Sequence, residues 1–264
     1  MTTFAEATAV KETAPGVYAA TIPDGWQQGK GAFGGVGVGV MARALLAHEA
    51  AAGRPLRSLS AELCAPALPV ASELHVAVLR QGASMSFLDV RLLQEGALVG
   101  HATASVGKAR ELDNVPYTPP SPPRPSWNNV DVAPIGPPLG PIFAQKYEFR
   151  LTGPLPFTGQ SEPQVSGFIR EREPPSAHDT PAIIGLLDSF WPTLYVMESR
   201  PRPAVTVGYT MQLLVDPASV PTDEPLFYQA RGAGNGGTYY VEMRELWLGD
   251  RLVALNQQTF ALLG

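Results

Sequence analysis

The sequence predicts an α+β protein made of two similar halves, each an antiparallel sheet curled around one long helix. Three observations lead there. Each half places a long helical candidate early and follows it with consecutive strand candidates, an order that argues against alternating βαβ units. The strand candidates of the two halves are alike in residue type and in the placing of their turns. A proline-rich stretch separates the halves.

In chain order, the first helix is expected over residues 35–51. The strands that follow it set up the internal repeat. SFLDVR (86–91) aligns with YYVEMR (239–244) at an offset of 153, and Gly96 aligns with Gly249 at that same offset. Leu98-Val99 aligns with Leu252-Val253 at 154, which makes the second hairpin one residue longer. Both strand pairs are rich in β-branched and aromatic residues and are punctuated by glycine. Ten of the chain's 27 prolines fall between residues 116 and 141, where PYTPPSPPRP reads as neither helix nor central strand because proline lacks a backbone donor. That stretch is expected to be a semi-rigid extended connector. The domains are therefore placed at 1–110 and 142–264, with a linker at 111–141. The second helix is expected over residues 181–197. Asp179 or Thr180 can cap it, and Pro181 suits the first helical position, where no donor is lost. From 181 to 194 its only polar side chains are Asp188, Ser189 and Thr193, so it must be enclosed rather than laid on a surface.

Composition excludes several classes. The net charge is -5 and no run of Lys or Arg occurs, so no nucleic-acid surface is expected. The single cysteine, Cys64, rules out an intrachain disulfide and reads as a small buried hydrophobe. His48, His75, His101 and His178 are scattered without ligand spacing and read as structural or surface residues, so no metal is expected. Residues 1–11 lack a basic region followed by an apolar run, and apolar stretches such as 182–187 are far too short to span a bilayer. A soluble, cytoplasmic protein with no membrane partner is the expectation. GKGAFG (29–34) satisfies G-x-G-x-x-G only formally, since no βαβ unit surrounds it. A P-loop fails because Gly31 follows Gly29-Lys30, and no G-x-S-x-G elbow is present. No cofactor is expected.

What remains is Asp188. It falls in one stripe of the second helix with Ile184, Leu187 and Trp191. A carboxylate there loses hydration and needs either bound donors or a chemical task. The last strand adds a second anomaly, since residues 252–263 read LVALNQQTFALL with a polar centre at Asn256, Gln257, Gln258 and Thr259. The matching first-half segment, LVGHATASV, has Ala104 opposite Gln258, and the first helix has no carboxylate. Polar groups present in one half of a repeat and absent from the other point to function more strongly than either residue alone.

These segments resemble the acyl-CoA thioesterase II (TesB-like) family of double hot-dog proteins. The likeness rests on AFGGVGVGV and LRQGASMSFLDV in the first half. In the second it rests on LLDSFW, TVGYTMQLLVDP and LVALNQQT, and it spans most of the chain outside the linker. The resemblance implies hydrolysis of fatty acyl-CoA thioesters without a cofactor, by an Asp, a Thr and a Gln. By position these are Asp188, Thr206 and Gln258, with Gln257 one residue away. It also implies an acyl-CoA substrate and a homo-oligomer. Clean alternation from 204 to 215 puts Thr206 on the face opposite Val205 and Val207, so its role requires that this face meet the other half, or that a bulge turn it.

On this reading Asp188 draws a proton from water, and direct hydrolysis and an acyl-aspartate are both open. Lys30 and the helix-start glycines Gly34 and Gly35 are candidates for CoA phosphates. Trp191 and Tyr239, with Phe190 and Tyr240, are candidate acyl walls. The alternatives are a hot-dog enoyl-CoA hydratase or dehydratase using His178-Asp179, and an acyl-CoA binding protein without turnover.

Overall fold

The computed structural model describes residues 2–109 and 117–263, so residues 111–116 of the expected linker lie outside the described residues. The first half runs α1 (Phe4–Ala7), β1 (Val10–Ala14), β2 (Val17–Thr21), the small hairpin β3 (Gln27–Gln28) and β4 (Gly31–Ala32), then α2 (Gly34–Ala47). It continues with β5 (Leu56–Leu63), β6 (Ala71–Gln81), β7 (Met85–Gln94) and β8 (Ala97–Gly107). The second half runs β9 (Tyr147–Leu151), β10 (Gln164–Glu171), α3 (Thr180–Asp188) and α4 (Leu194–Met197). Four long strands close it: β11 (Ala204–Leu213), β12 (Leu226–Gly236), β13 (Tyr239–Leu248) and β14 (Arg251–Leu262).

Twelve strands form one antiparallel sheet in the order β1-β2-β6-β7-β8-β5-β11-β14-β13-β12-β10-β9. The second half of that list is the first half reversed, so the two repeats meet through equivalent strands. The seam is β5 against β11, from Gly208 opposite Glu62 to Gln212 opposite Ser58, and Ser60 Oγ lies 3.1 Å from Thr210 Oγ1 across it. α2 and α3 pack on one another inside the curled sheet, both almost wholly buried.

Both helices end earlier than their apolar patterns suggest. α2 stops at Ala47 because His48 is extended and turns its Nδ1 to accept the Ala50 N–H of a following 3-10 turn. α3 starts as expected, with Asp179 Oδ1 accepting the Ala182 N–H at 2.9 Å. It ends at Asp188, because Pro192 offers no N–H to the Asp188 carbonyl and its ring would clash there. The predicted helix over 181–197 is therefore two helices with residues 189–193 between them.

The register of the repeat also differs from the sequence alignment. Gln94 opposite Ala97 and Leu248 opposite Arg251 close both hairpins around two-residue turns, so the offset is 154 throughout and neither hairpin is longer. A one-residue slip exchanges the faces of a strand. The inward residues Leu88 and Val90 of β7 thus correspond to Glu242 and Arg244 of β13. Cys64 departs from expectation as well: it lies exposed just beyond the end of β5.

The proline-rich segment is fastened to the second half. Trp127 and Val130 pack against Phe168, Phe227 and Trp247. Arg124 donates to the Gly249 carbonyl, and Arg150 donates to the Val130 carbonyl at 2.7 Å while its guanidinium lies over the Trp127 ring. The Ala133 N–H then bonds to the Phe149 carbonyl at 2.7 Å, on the free edge of β9. No helix among the described residues is long and apolar enough to cross a membrane.

Candidate active site

Asp188 is the last residue of α3 and is 8% exposed. Its own helix dipole disfavours a negative charge at that end, but the N-terminus of α2 comes up against it and supplies the Gly35 backbone N–H. Gln258 Nε2 donates to Oδ1 at 2.7 Å, and Arg244 Nη1 stands 3.5 Å from the same oxygen. Burial raises the Asp188 pKa above the usual carboxylate range; Arg244, the Gln258 hydrogen bond and the Gly35 N–H pull it back, and Glu242 adds to the rise.

Gln258 is fixed at both ends. Its Nε2 also donates to Asn256 Oδ1 at 3.0 Å, while Asn256 Nδ2 donates to the Thr210 carbonyl at 2.9 Å. Its Oε1 accepts from Thr206 Oγ1 at 3.4 Å. Thr206 reaches this face through a β-bulge: it pairs with Phe260, while Gly208 pairs with the next residue, Thr259. Val207 is the extra residue, so Thr206 rejoins the inward face of Tyr209 and Met211 that simple alternation denies it. Gln257 is exposed on the other face.

Beneath Asp188 lies a buried polar cluster that sequence reasoning missed. Arg244 Nε donates to Glu242 Oε1 at 2.7 Å, and its Nη1 donates to the Leu187 carbonyl at 3.0 Å. Glu242 Oε2 accepts from the Thr193 N–H at 2.7 Å and from Thr193 Oγ1 at 2.8 Å. Thr193 Oγ1 lies 2.7 Å from the Tyr240 hydroxyl. The signal was present in YYVEMR, whose charges become inward residues once the repeat is set at 154.

Asp188 opens onto a cavity of about 990 Å³. Its walls are the proline-rich strap between the halves (Val130, Val132, Ile135), the β9–β10 loop (Leu155, Phe157) and the segment after α3, including Trp191. No Lys, Arg or His is among its described lining residues; Asp131 and Asp188 are its only ionisable carboxylates. Trp191 keeps its buried Nε1 without a partner. Of the other expected substrate contacts, Gly34 and Gly35 touch Asp188 directly: a Cβ on Gly34 would stand 2.8 Å from Oδ2. Lys30 is exposed in the β3–β4 turn, two residues from Gln28 on the cavity rim. Tyr239 does not line the cavity: it is 52% exposed, because the true register turns it outward. His178 and Asp179 sit at the far end of α3, roughly 14 Å from Asp188 at 1.5 Å per residue over the nine residues of that helix. No group of three or more His, Cys, Asp or Glu among the described residues is placed to hold a metal.

A family profile for the acyl-CoA thioesterase N-terminal domain matches residues 22–107, and one for the acyl-CoA thioesterase C-terminal domain matches residues 116–262. Solved structures cover nearly all of the chain. A hot-dog-fold protein of unknown function from Alicyclobacillus acidocaldarius is 26% identical, covers 99% of this chain and 98% of its own, and superposes with a TM-score of 0.88. A candidate thioesterase II from Thermobifida fusca is 23% identical over 100% of this chain and 98% of its own, with a TM-score of 0.85. An acyl-CoA thioesterase II from Mycobacterium marinum is 15% identical over 98% of each chain, with a TM-score of 0.77. The fold is a double hot-dog. No curated protein sequence is significantly similar.

Proposed function

Since the chain belongs to the acyl-CoA thioesterase family and is a thioester hydrolase, we propose that it cleaves fatty acyl-CoA to free acid and CoA, with Asp188 activating the attacking water. The observation that carries this reading is a buried carboxylate, hydrogen-bonded to Gln258, at the floor of a large apolar cavity.

Gln258 donates to Oδ1, and the Arg244 guanidinium pairs with the same oxygen. Oδ2 lies against Gly34, whose lack of a side chain is what lets the carboxylate sit there. Burial raises the basicity of the carboxylate toward working pH, which favours proton abstraction. Gln258 and Thr206 form a chain that fixes the direction in which the Asp188 carboxylate faces. As the carbonyl oxygen gains charge, the N-terminus of α2 offers the positive end of a helix dipole. The departing group is a thiolate, so no strong acid is needed to protonate it. The acyl chain occupies the apolar cavity, and the CoA phosphates remain outside it, since none of its described lining residues is a cation.

The distance between His178-Asp179 and Asp188 speaks against the hydratase alternative. The deciding assay is release of free thiol from acyl-CoAs of graded length by wild type and Asp188→Asn. Release by wild type that falls at least about a hundredfold in the variant supports the mechanism. Full turnover by Asp188→Asn would remove Asp188 from it, and binding without release by wild type would leave an acyl-CoA binding protein.

A further inference from the structure

We propose that Glu242 and Arg244, tied to Thr193, are the positioning residues that hold the Asp188 carboxylate in its reacting geometry, acting on it with opposite charge. The proposal rests on Asp188 being the reacting carboxylate.

The fold does not need this pair. The equivalent inward positions of the first half are Leu88 and Val90, both fully buried, and the same strand folds there with an apolar interior. A buried ion pair can often be replaced by apolar residues of similar volume with no loss of stability. Its presence only in the half that carries Asp188 and Gln258 therefore calls for another reason.

The geometry supplies one. The Arg244 guanidinium is 1% exposed and lies near the rings of Tyr228 and Phe260, its carbon 5.9 and 5.6 Å from their centroids. Nε is committed to Glu242, and Nη1 spans the Leu187 carbonyl and Asp188 Oδ1. Arg244 thus holds both the backbone and the side chain at the end of α3. Glu242 keeps the fork from turning, and its second oxygen clamps the Thr193 N–H and hydroxyl. Through Thr193 the cluster also fixes the stretch that Pro192 releases from the helix. One helix end, one carboxylate and one cavity wall are located by a single side-chain network in which each Glu242 oxygen has a donor.

The charges that reach Asp188 come from every surrounding element. β13 gives Arg244 and Glu242, β14 the Gln258 amide, and α2 the Gly35 N–H. Tyr147, Tyr209 and Tyr228 face it from β9, β11 and β12, and burial keeps all three phenols protonated. Only Arg244 and Glu242 therefore bring full charges, and their effects on Asp188 have opposite sign.

The test is the pH dependence of kcat/KM for wild type, Glu242→Gln, Arg244→Met and Thr193→Val. Removing the Arg244 cation should move the acid limb upward by about one unit or more, and removing the Glu242 charge should move it downward. Thr193→Val, nearly isosteric, should lower kcat about tenfold or more while KM stays close to wild type. Residues that only support the fold would give losses without opposed shifts. Acid limbs that move in the same direction, or stay in place, overturn the proposal. Should Arg244→Met fail to fold, Glu242→Gln and Thr193→Val decide it alone, since an unmoved limb with unchanged kcat is then the overturning result. If wild type releases no thiol at all, the thioesterase reading fails separately. The opposed shifts are then read from the carbon-13 titration of the Asp188 carboxyl, assigned by its loss in Asp188→Asn.

Discussion

Gly34 and Glu171 show what single residues do here. A methyl group on Gly34 would meet Asp188 Oδ2 at 2.8 Å and Leu63 Cδ1 at 3.3 Å, so the carboxylate must give way. Gly34→Ala is expected to lower kcat about tenfold or more, with a far-UV spectrum like wild type; unchanged turnover would show that Oδ2 needs no space. Glu171, 6% exposed at the end of β10, has its pKa pushed from 4.5 up to about 7 by burial, with Asp179 adding to the rise. Its folded form holds the proton more tightly than the unfolded chain does. Its contribution to stability is thus full below pH 4.5 and is lost as pH rises through about 7. Glu171→Gln should raise the melting temperature more at pH 8 than at pH 5, and an equal change at both would contradict the linkage. The sequence makes Asp188 conspicuous because a lone carboxylate in an apolar helix is costly. It hides the face of Thr206, because alternation cannot reveal the extra residue Val207. It hides Glu242 and Arg244 because a one-residue slip in the repeat turns both outward.

At the scale of elements, the broken helix and the proline-rich strap decide the shape of the cavity. Pro192 ends α3 at Asp188, and residues 189–191 then line the cavity. The strap forms the facing wall. Its prolines make a connector legible in the sequence, but not its path, which depends on Arg124, Arg150 and the Ala133–Phe149 bond, contacts made with distant strands. Val132 is 42% exposed and Leu155 is 51% exposed, and both line the cavity from different segments, so each can be enlarged without disturbing the core. Val132→Trp and Leu155→Trp are expected to reduce kcat/KM for the longest acyl chains by about tenfold relative to short ones. The relative rates on palmitoyl-CoA and hexanoyl-CoA check this; a uniform loss at both lengths would place the acyl chain elsewhere.

At the scale of the molecule, the site belongs to neither half alone. Asp188 and Gln258 come from the second half, but the helix N-terminus against the carboxylate is Gly34-Gly35 of the first. The β5–β11 seam joins the halves by backbone hydrogen bonds, and α2 packs along α3. Removing the first half would leave β11 an unpaired edge, expose a large apolar face of α3 and strip Asp188 of one of its supporting donors. Asp188 would then keep the Glu242 charge, which raises its pKa as burial does, with one donor fewer to offset them. Residues 117–264 produced alone are therefore expected to aggregate or to lack thiol-releasing activity, and mixing them with residues 1–109 should restore part of it. In the intact chain the shared seam should make unfolding a single transition. Fluorescence, weighted to Trp127, Trp191 and Trp247 of the second half, should follow the same denaturant curve as circular dichroism of the whole sheet. Two separated midpoints would mean that each half carries its own stability, and that the seam positions the site without uniting the fold.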